Sequence, residues 1–253
     1  MPQRQPGSLE ENEKGARIIA AGVPRSGSTL IYQVICALFP DAAVTKTHKF
    51  TEEADAKIVV TYRDFRDVTV SMARAMRSRN GQPFKWGKLD EADRSKDSPM
   101  RIQGHEKITR EELEITLENA LSKIEALDSY RGLALASDRV LLMRYELFFS
   151  DYDYIFQQLS GFFGINIDRA TRREIVEITS IKRNQERAAQ LQDFSHYDPK
   201  SQIHGAHIYD GKVGGWVRFI DPKDRNLLLE SLGDALARYG YVPTEGQTGL
   251  MQS

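Results

Sequence analysis

Three short stretches carry residue types whose spacing suits the binding and handling of anions. The first is Gly22-Val-Pro-Arg-Ser-Gly27-Ser28-Thr29, which has the spacing of a Walker A loop but carries Ser28 where that loop has its lysine. Backbone N–H groups from Gly27 to Thr29, at the start of a predicted helix, point at an anion, and the hydroxyls of Ser26, Ser28 and Thr29 add short donors. The missing lysine is the one that reaches β- and γ-phosphates in nucleoside triphosphate enzymes. The loop is therefore equipped for one phosphate and not for a triphosphate. The second stretch is Tyr62-Arg-Asp-Phe-Arg-Asp-Val-Thr-Val-Ser71. Arg63 offers a fork of donors at the carboxyl end of a strand, where doubly wound sheets bind ligands. Ser71 follows about two helical turns later. The alternative is that Arg63, Asp64, Arg66 and Asp67 pair with one another at a helix start, as charge runs commonly do. The third stretch, Lys46-Thr47-His48, sets an ammonium and an imidazole at a strand end. Taken alone such a histidine is more often a surface or hydrogen-bonded one, but it lies between the two anion motifs.

The elements that position these residues follow an α/β pattern. Arg17–Gly22 (RIIAAG) is an apolar run suited to a buried strand, and after the loop Leu30, Ile31, Val34, Ile35 and Leu38 fall on one helical face. Further strands are predicted at Ala43–His48, Lys57–Tyr62 and Arg139–Tyr145. Lys57–Tyr62 feeds a helix carrying Val68, Met72, Ala75 and Met76. Strand, Gly/Ser loop and helix form the first unit of a parallel sheet. The prediction is one α/β domain at 16–245, with a central parallel β-sheet flanked by helices and a P-loop-like nucleotide site. A polar, flexible tail is expected at 1–15. The polar stretch at about 77–109 is too long for a plain connection and is expected to form a lid or binding loop. Thr109 and Glu112 make a capping box for a helix that buries Leu113, Leu117, Leu121 and Ile124. Asp151–Phe163 reads as another amphipathic helix. Asp221-Pro222 supplies an N-cap and an N1 proline for a last helix that Gly240 ends.

Composition narrows the function classes. The 253 residues are 40% hydrophobic, with 35 Lys and Arg against 36 Asp and Glu, a formal net charge of −1. That balance argues against a nucleic-acid footprint over the whole surface. The single cysteine, Cys36, lies in an apolar run and reads as a core residue. No apolar stretch approaches the roughly 20 residues that span a bilayer, so no membrane partner is expected. Met1 to Lys14 lacks the apolar core of a signal peptide, and a cytoplasmic location is expected. The remaining histidines, His105, His196, His204 and His207, show no metal-ligand spacing, and no metal is expected.

Together the motifs resemble those of the sulfotransferases that use 3′-phosphoadenosine-5′-phosphosulfate (PAPS). The family's 5′-phosphosulfate loop is PKSGTT in cytosolic members and GVPRSGTTL in tyrosylprotein sulfotransferases; this chain has GVPRSGSTL. The resemblance implies that Arg25, Ser26, Gly27, Ser28 and Thr29 hold the 5′-phosphosulfate. It gives Arg25 the place of the cytosolic lysine, stabilising charge on the leaving phosphate oxygen. Cytosolic members stack adenine on a tryptophan where this chain has Leu30. By the same resemblance Arg63 and Ser71 share the 3′-phosphate. Arg144-Tyr145-Glu146 is similar to the family's YED segment, which brings Tyr145 near the nucleotide. Thr179-Ser180-Ile181 is similar to its TSF segment, which brings Thr179 to adenine. Gly211-Lys-Val-Gly214-Gly215-Trp216 resembles the late RKGxxGDW loop, with Tyr209-Asp210 replacing its arginine-lysine pair. There the backbone of Gly211 and Gly214, with Lys212, is expected at the 3′-phosphate, and Trp216 can equally be a core anchor. Lys46-Thr47-His48 matches the cytosolic KTH motif, which implies His48 as the base for the acceptor proton and Lys46 as the cation on the transferring sulfuryl oxygens.

The implied reaction is in-line transfer of a sulfuryl group from PAPS to a hydroxyl or amine of a small polar acceptor, releasing 3′,5′-adenosine bisphosphate. A tailoring step in secondary metabolism is expected, and a homodimer is compatible with the chain. Two alternatives stand beside it. A P-loop kinase of a small metabolite would want the absent lysine and an acidic strand-end residue for Mg²⁺, for which only Asp64 offers itself. A non-catalytic nucleotide-binding module would not need Lys46 and His48.

Overall fold

The computed structural model describes residues 17–80, 107–191, 196–205 and 211–242. The expected tail at 1–15 and all but the ends of the expected lid at 77–109 lie outside the described residues. In chain order the elements are β1 (Arg17–Gly22), α1 (Ser28–Leu38), β2 (Ala43–Thr47), β3 (Ala56–Tyr62), α2 (Phe65–Asn80) and α3 (Arg110–Ala136). There follow β4 (Val140–Arg144), α4 (Tyr145–Phe148), α5 (Tyr152–Phe163), α6 (Arg169–Thr179), α7 (Ile181–Ala189), β5 (Tyr197–Asp198), β6 (Ile203–His204), α8 (Trp216–Phe219) and α9 (Pro222–Arg238).

Among the described residues the main sheet has four strands in the order β2-β1-β3-β4, all parallel. Ile18 to Ala21 and Ile58 to Val60 are buried on both faces, which explains why these strands read as unbroken apolar runs. β2 lies at an edge, and there burial alternates along the strand. The chain leaves β1 on one side for β2 and then crosses to the other side for β3. The strand order therefore reverses around β1, and such a switch point opens a crevice at the carboxyl ends of the strands. Those ends lie in register: Ala21 pairs with Thr47, Gly22 with Thr61, and Tyr62 with Arg144.

The chain divides into two compact units, Met1–Tyr62 with Ala126–Gln185, and Arg63–Glu125 with Glu186–Ser253. The first holds the sheet. Its core joins Ile18, Ala20, Val59 and Met143 of the strands to Ile31, Val34, Ile35 and Leu38 of α1, and to Ile155, Phe156 and Leu159 of α5. Each of the Ile, Val, Leu, Met and Phe side chains among these contributes about 1.5–3 kcal/mol on burial. Asp151 caps α5 through Tyr154 N, and Asp168 caps α6 through Ala170 N and Thr171 N.

The second unit is built on α2, which packs on α8 and α9; Phe65 meets Tyr239 edge-on at 5.5 Å. The capping box at α3 is reciprocal, with Thr109 N donating to Glu112 Oε2 at 2.7 Å and Glu112 N to Thr109 Oγ1 at 3.3 Å. Two local expectations are corrected here. Leu121 is 39% exposed; Ala120 takes the buried place between Leu117 and Ile124, because the stripe follows i, i+3, i+4 spacing from Leu113. Asp221 does not cap α9 with its side chain, which pairs with Lys107 instead; Pro222 still stands at the helix start. Gly240, at φ 74°, follows the last turn in the left-handed conformation expected of it.

Candidate active site

The loop between β1 and α1 is built by two glycines and a buried serine. At Gly22 any Cβ would meet Thr61 Oγ1 at 2.2 Å and Thr61 O at 2.7 Å, so only glycine lets β1 end this close to β3. Val23 N then donates to Thr61 O at 3.0 Å. Ser26, fully buried, has its Oγ 2.6 Å from Val23 O and 2.7 Å from Thr61 Oγ1. The hydroxyl ties the loop to β3. Gly27 adopts φ 82° beside Tyr145 and Phe148, either of which a Cβ would approach to 2.9 Å. It precedes α1 without any side-chain cap, and the first helical bond there runs from Ile31 N to Gly27 O. The amides of Ser28, Thr29 and Leu30 precede that bond, at the positive end of the helix dipole.

Arg25 is the non-glycine residue of this loop in the left-handed region, at φ 70°. That conformation costs about 1–2 kcal/mol for an L-residue and is typical of functional sites. Its guanidinium acts on Lys46. Burial first, and then the positive charge of Arg25, lower the Lys46 pKa from 10.5 to about 8. Two cations this close fit an anionic ligand, which would relieve their repulsion.

His48 follows β2, and its Nδ1 lies 2.8 Å from the carbonyl oxygen of Gly22. A carbonyl can only accept, so Nδ1 carries the proton, and in the neutral tautomer that leaves Nε2 as the basic nitrogen. The next residues are pinned by Tyr130 of α3, a side chain that sequence reasoning missed. Its hydroxyl donates to Lys49 O at 3.0 Å and accepts from Thr51 N at 3.1 Å, and its ring packs on Phe50 at 4.9 Å. A lone tyrosine in an amphipathic helix gave no signal of this.

The second unit holds the Arg63–Asp67 run. Arg66 and Asp64 form a doubly bonded buried pair, with Nε to Oδ1 at 2.9 Å and Nη2 to Oδ2 at 2.7 Å. The Arg66 guanidinium also donates to Val242 O at 3.0 Å and lies 5.0 Å from the ring centre of Trp216. Asp67 accepts from Gly214 N at 2.7 Å and from Trp216 N at 3.0 Å. Burial raises its pKa, opposed by the Arg63 charge and by these two amides. Arg63 Nη2 donates to Lys212 O at 2.6 Å and to Asp67 Oδ2 at 3.3 Å. The charge run therefore does pair locally, and the same pairing clasps the glycine loop. Ser71, half-buried, stands one turn beyond Asp67 on the same face of α2. Gly211 and Gly214 take φ 65° and 73° in the clasped loop, Lys212 is exposed, and Trp216 is fully buried as a core anchor. Asp67 was legible only as one half of an ion pair.

Tyr145, expected near a nucleotide, opens α4 beside Gly27 and stacks on Phe149 at 5.5 Å. Thr179, expected at adenine, ends α6. It is 2% exposed, its hydroxyl bonds Ile175 O at 2.6 Å within α6, and its carbonyl accepts from Asn184 Nδ2 at 3.0 Å. The same hydroxyl lies 3.1 Å from the Tyr152 hydroxyl of α5. A shallow cavity of about 600 Å³ on α5, lined by Asp153, Gln157, Asn166 and Arg172 among others, contains none of these residues. Among the described residues no group of three His, Cys, Asp or Glu is placed to hold a metal, and no helix is long and apolar enough to cross a membrane.

Comparison with known proteins bears on the fold and on the family. The fold is similar to that of mouse sulfotransferase SULT7A1 complexed with PAP, at 17% identity over 88% of this chain and 84% of that one, with a TM-score of 0.59. It is similar as well to retinol dehydratase in complex with androsterone and the inactive cofactor PAP, at 14% identity, 87% and 80% coverage and a TM-score of 0.58. The complex of retinol dehydratase with retinol and PAP gives 14%, 87%, 81% and 0.59. No curated protein sequence matches the chain. The model of the sulfotransferase domain matches residues 40–240, a span that begins after the loop at Gly22–Thr29 and takes in every other motif described above. On that match the chain belongs to the sulfotransferase family.

Proposed function

We propose that this protein transfers the sulfuryl group of PAPS to a hydroxyl, or an amine, of a small polar acceptor, a tailoring reaction on a natural product. The observation that carries the reading is the 2.8 Å contact of His48 Nδ1 with the Gly22 carbonyl, which joins the base to the first residue of the phosphate loop. Structures of related folds solved with PAP support the choice of donor.

PAPS, when bound, supplies a sulfuryl group on a phosphate leaving group. The amides of Ser28 and Thr29 and the Arg25 guanidinium hold the 5′ end and stabilise negative charge as it develops there. The Lys46 ammonium neutralises the sulfuryl oxygens. Nε2 of His48 takes the proton of the acceptor, its ring held in the right tautomer by Gly22. Arg63 and Ser71, with the Gly211–Gly214 backbone and Lys212, read the 3′-phosphate. Tyr145 borders the phosphate loop at Gly27. The polar composition of 77–109 favours a polar acceptor over a steroid or simple phenol.

Calorimetric titration with 3′,5′-adenosine bisphosphate, beside ATP with Mg²⁺, tests the donor. Tight binding of the bisphosphate and weak binding of ATP are expected; the reverse order would favour a kinase. A mass-shift screen of polar hydroxyl and amine compounds with PAPS then identifies the acceptor.

A further inference from the structure

The residues just after His48 have no regular secondary structure, yet a general base must be held to within a fraction of an ångström of its proton. Two anchors are visible in the first unit. One is the ring itself, through Nδ1 and the Gly22 carbonyl. The other lies in the backbone one to three residues on. There the Tyr130 hydroxyl closes a bridge between Lys49 O at 3.0 Å and Thr51 N at 3.1 Å, so that both a carbonyl and an amide of an irregular segment end on one oxygen. Thr47 adds a local tie by accepting from Lys49 N at 3.0 Å. Tyr130 is 3% exposed, and its ring packs against Phe50. A buried hydroxyl with both its donor and an acceptor position occupied fixes the segment more firmly than packing alone.

We infer that Tyr130 is a positioning residue for the base: its hydroxyl locks Lys49–Thr51 and thereby sets where His48 Nε2 meets the acceptor. The inference rests on the assignment of His48 as base. Nothing in the Tyr130 sequence context signals this task. The helix carries the tyrosine, and only the fold brings it to the segment after β2.

Tyr130→Phe removes one oxygen and keeps the ring on Phe50, so it separates locking from packing. The variant is compared with the parent in single-turnover transfer from PAPS to water and to a reporter hydroxyl, tyramine, alongside bisphosphate calorimetry and thermal melting. A fall in kcat of about tenfold is expected, with bisphosphate affinity unchanged, measured well below the melting temperature. In the His48→Ala background the same substitution should have no further effect, because its target is gone. A ring-proton or ring-nitrogen NMR signal of His48, assigned by its loss in His48→Ala, should shift or broaden in Tyr130→Phe. The inference is overturned by a Tyr130→Phe enzyme with parental kcat and an unmoved His48 signal. It is overturned equally by a tenfold loss that persists in full on His48→Ala, which would mark a general structural role. If instead His48→Ala itself transfers at the parental rate, the base assignment fails and the inference falls with it, a failure told apart from that of Tyr130 alone by which variant keeps its rate.

Discussion

The phosphate loop and the Arg63–Asp67 run are both short, charged or polar segments that follow a strand, and they use their residues in opposite ways. Around the loop the backbone does the holding. Glycines at 22 and 27 allow close approach, Ser26 turns inward, and Arg25, Lys46 and His48 are the residues to which the proposed function gives the chemistry. In the second unit the charges do the holding: Asp64 closes on Arg66, and Asp67 closes on the Gly214 and Trp216 amides. Charged residues near a nucleotide motif thus need not touch nucleotide. A carboxylate in such a place would repel a phosphate if it were not already committed to donors.

The largest effect that would break this contrast is in the clasp. Arg66→Ala leaves Asp64 buried without its partner and should destabilise the protein by about 3–5 kcal/mol, read by denaturant unfolding. A loss below about 1 kcal/mol would mean that the pair is not structural, and that Arg66 belongs with the binding residues.

Next in size is the base. His48→Ala should lower kcat by about 10²-fold or more while bisphosphate affinity and melting temperature stay near those of the parent. A matching loss of stability would show that His48 acts like the clasp residues, as a fastener of Gly22.

Arg63 stands on the dividing line, since it both ties Lys212 and is assigned the 3′-phosphate. Arg63→Ala should remove roughly 1.5–3 kcal/mol of the preference for the bisphosphate over 5′-AMP. Equal losses for both nucleotides would place Arg63 wholly with the clasp.

The smallest effect is a pH dependence at Lys46. Its pKa of about 8 in the fold lies below the ordinary 10.5, so between those values the unfolded chain binds more protons and stability rises with pH as far as this group is concerned. Activity has the opposite sign: kcat/KM should fall to about half near pH 8 as the ammonium discharges, and Lys46→Arg should remove that alkaline limb. An alkaline limb that survives in Lys46→Arg would assign it to another group.

The sequence made the first unit more legible than the second, for a physical reason. Apolar runs such as Arg17–Gly22 and Lys57–Tyr62 can be buried only as central parallel strands, and a Gly/Ser loop between strand and helix has few other uses. Arg17–Gly22 was read to the residue, and the edges of the other strands to within one. The contacts of Ser26 and Thr179 were not legible, because whether a hydroxyl turns inward depends on a neighbour far along the chain or on the helix rotamer. Asp67 and Tyr130 escaped for the same reason: their partners lie at 214–216 and 49–51. The short β5–β6 hairpin, held by Asp198 at its turn, left no alternating pattern to read.

The strand order bears on how this protein is made. β1, although first in the chain, sits between β2 and β3, and β3 finds β4 only after α2 and α3 have been laid down. Parallel pairs of this kind close large loops before they return any contact energy, so the sheet assembles late and slowly. Until Val140–Arg144 arrives, the apolar strand β3 keeps an open edge, the kind of exposure that favours self-association of a growing chain.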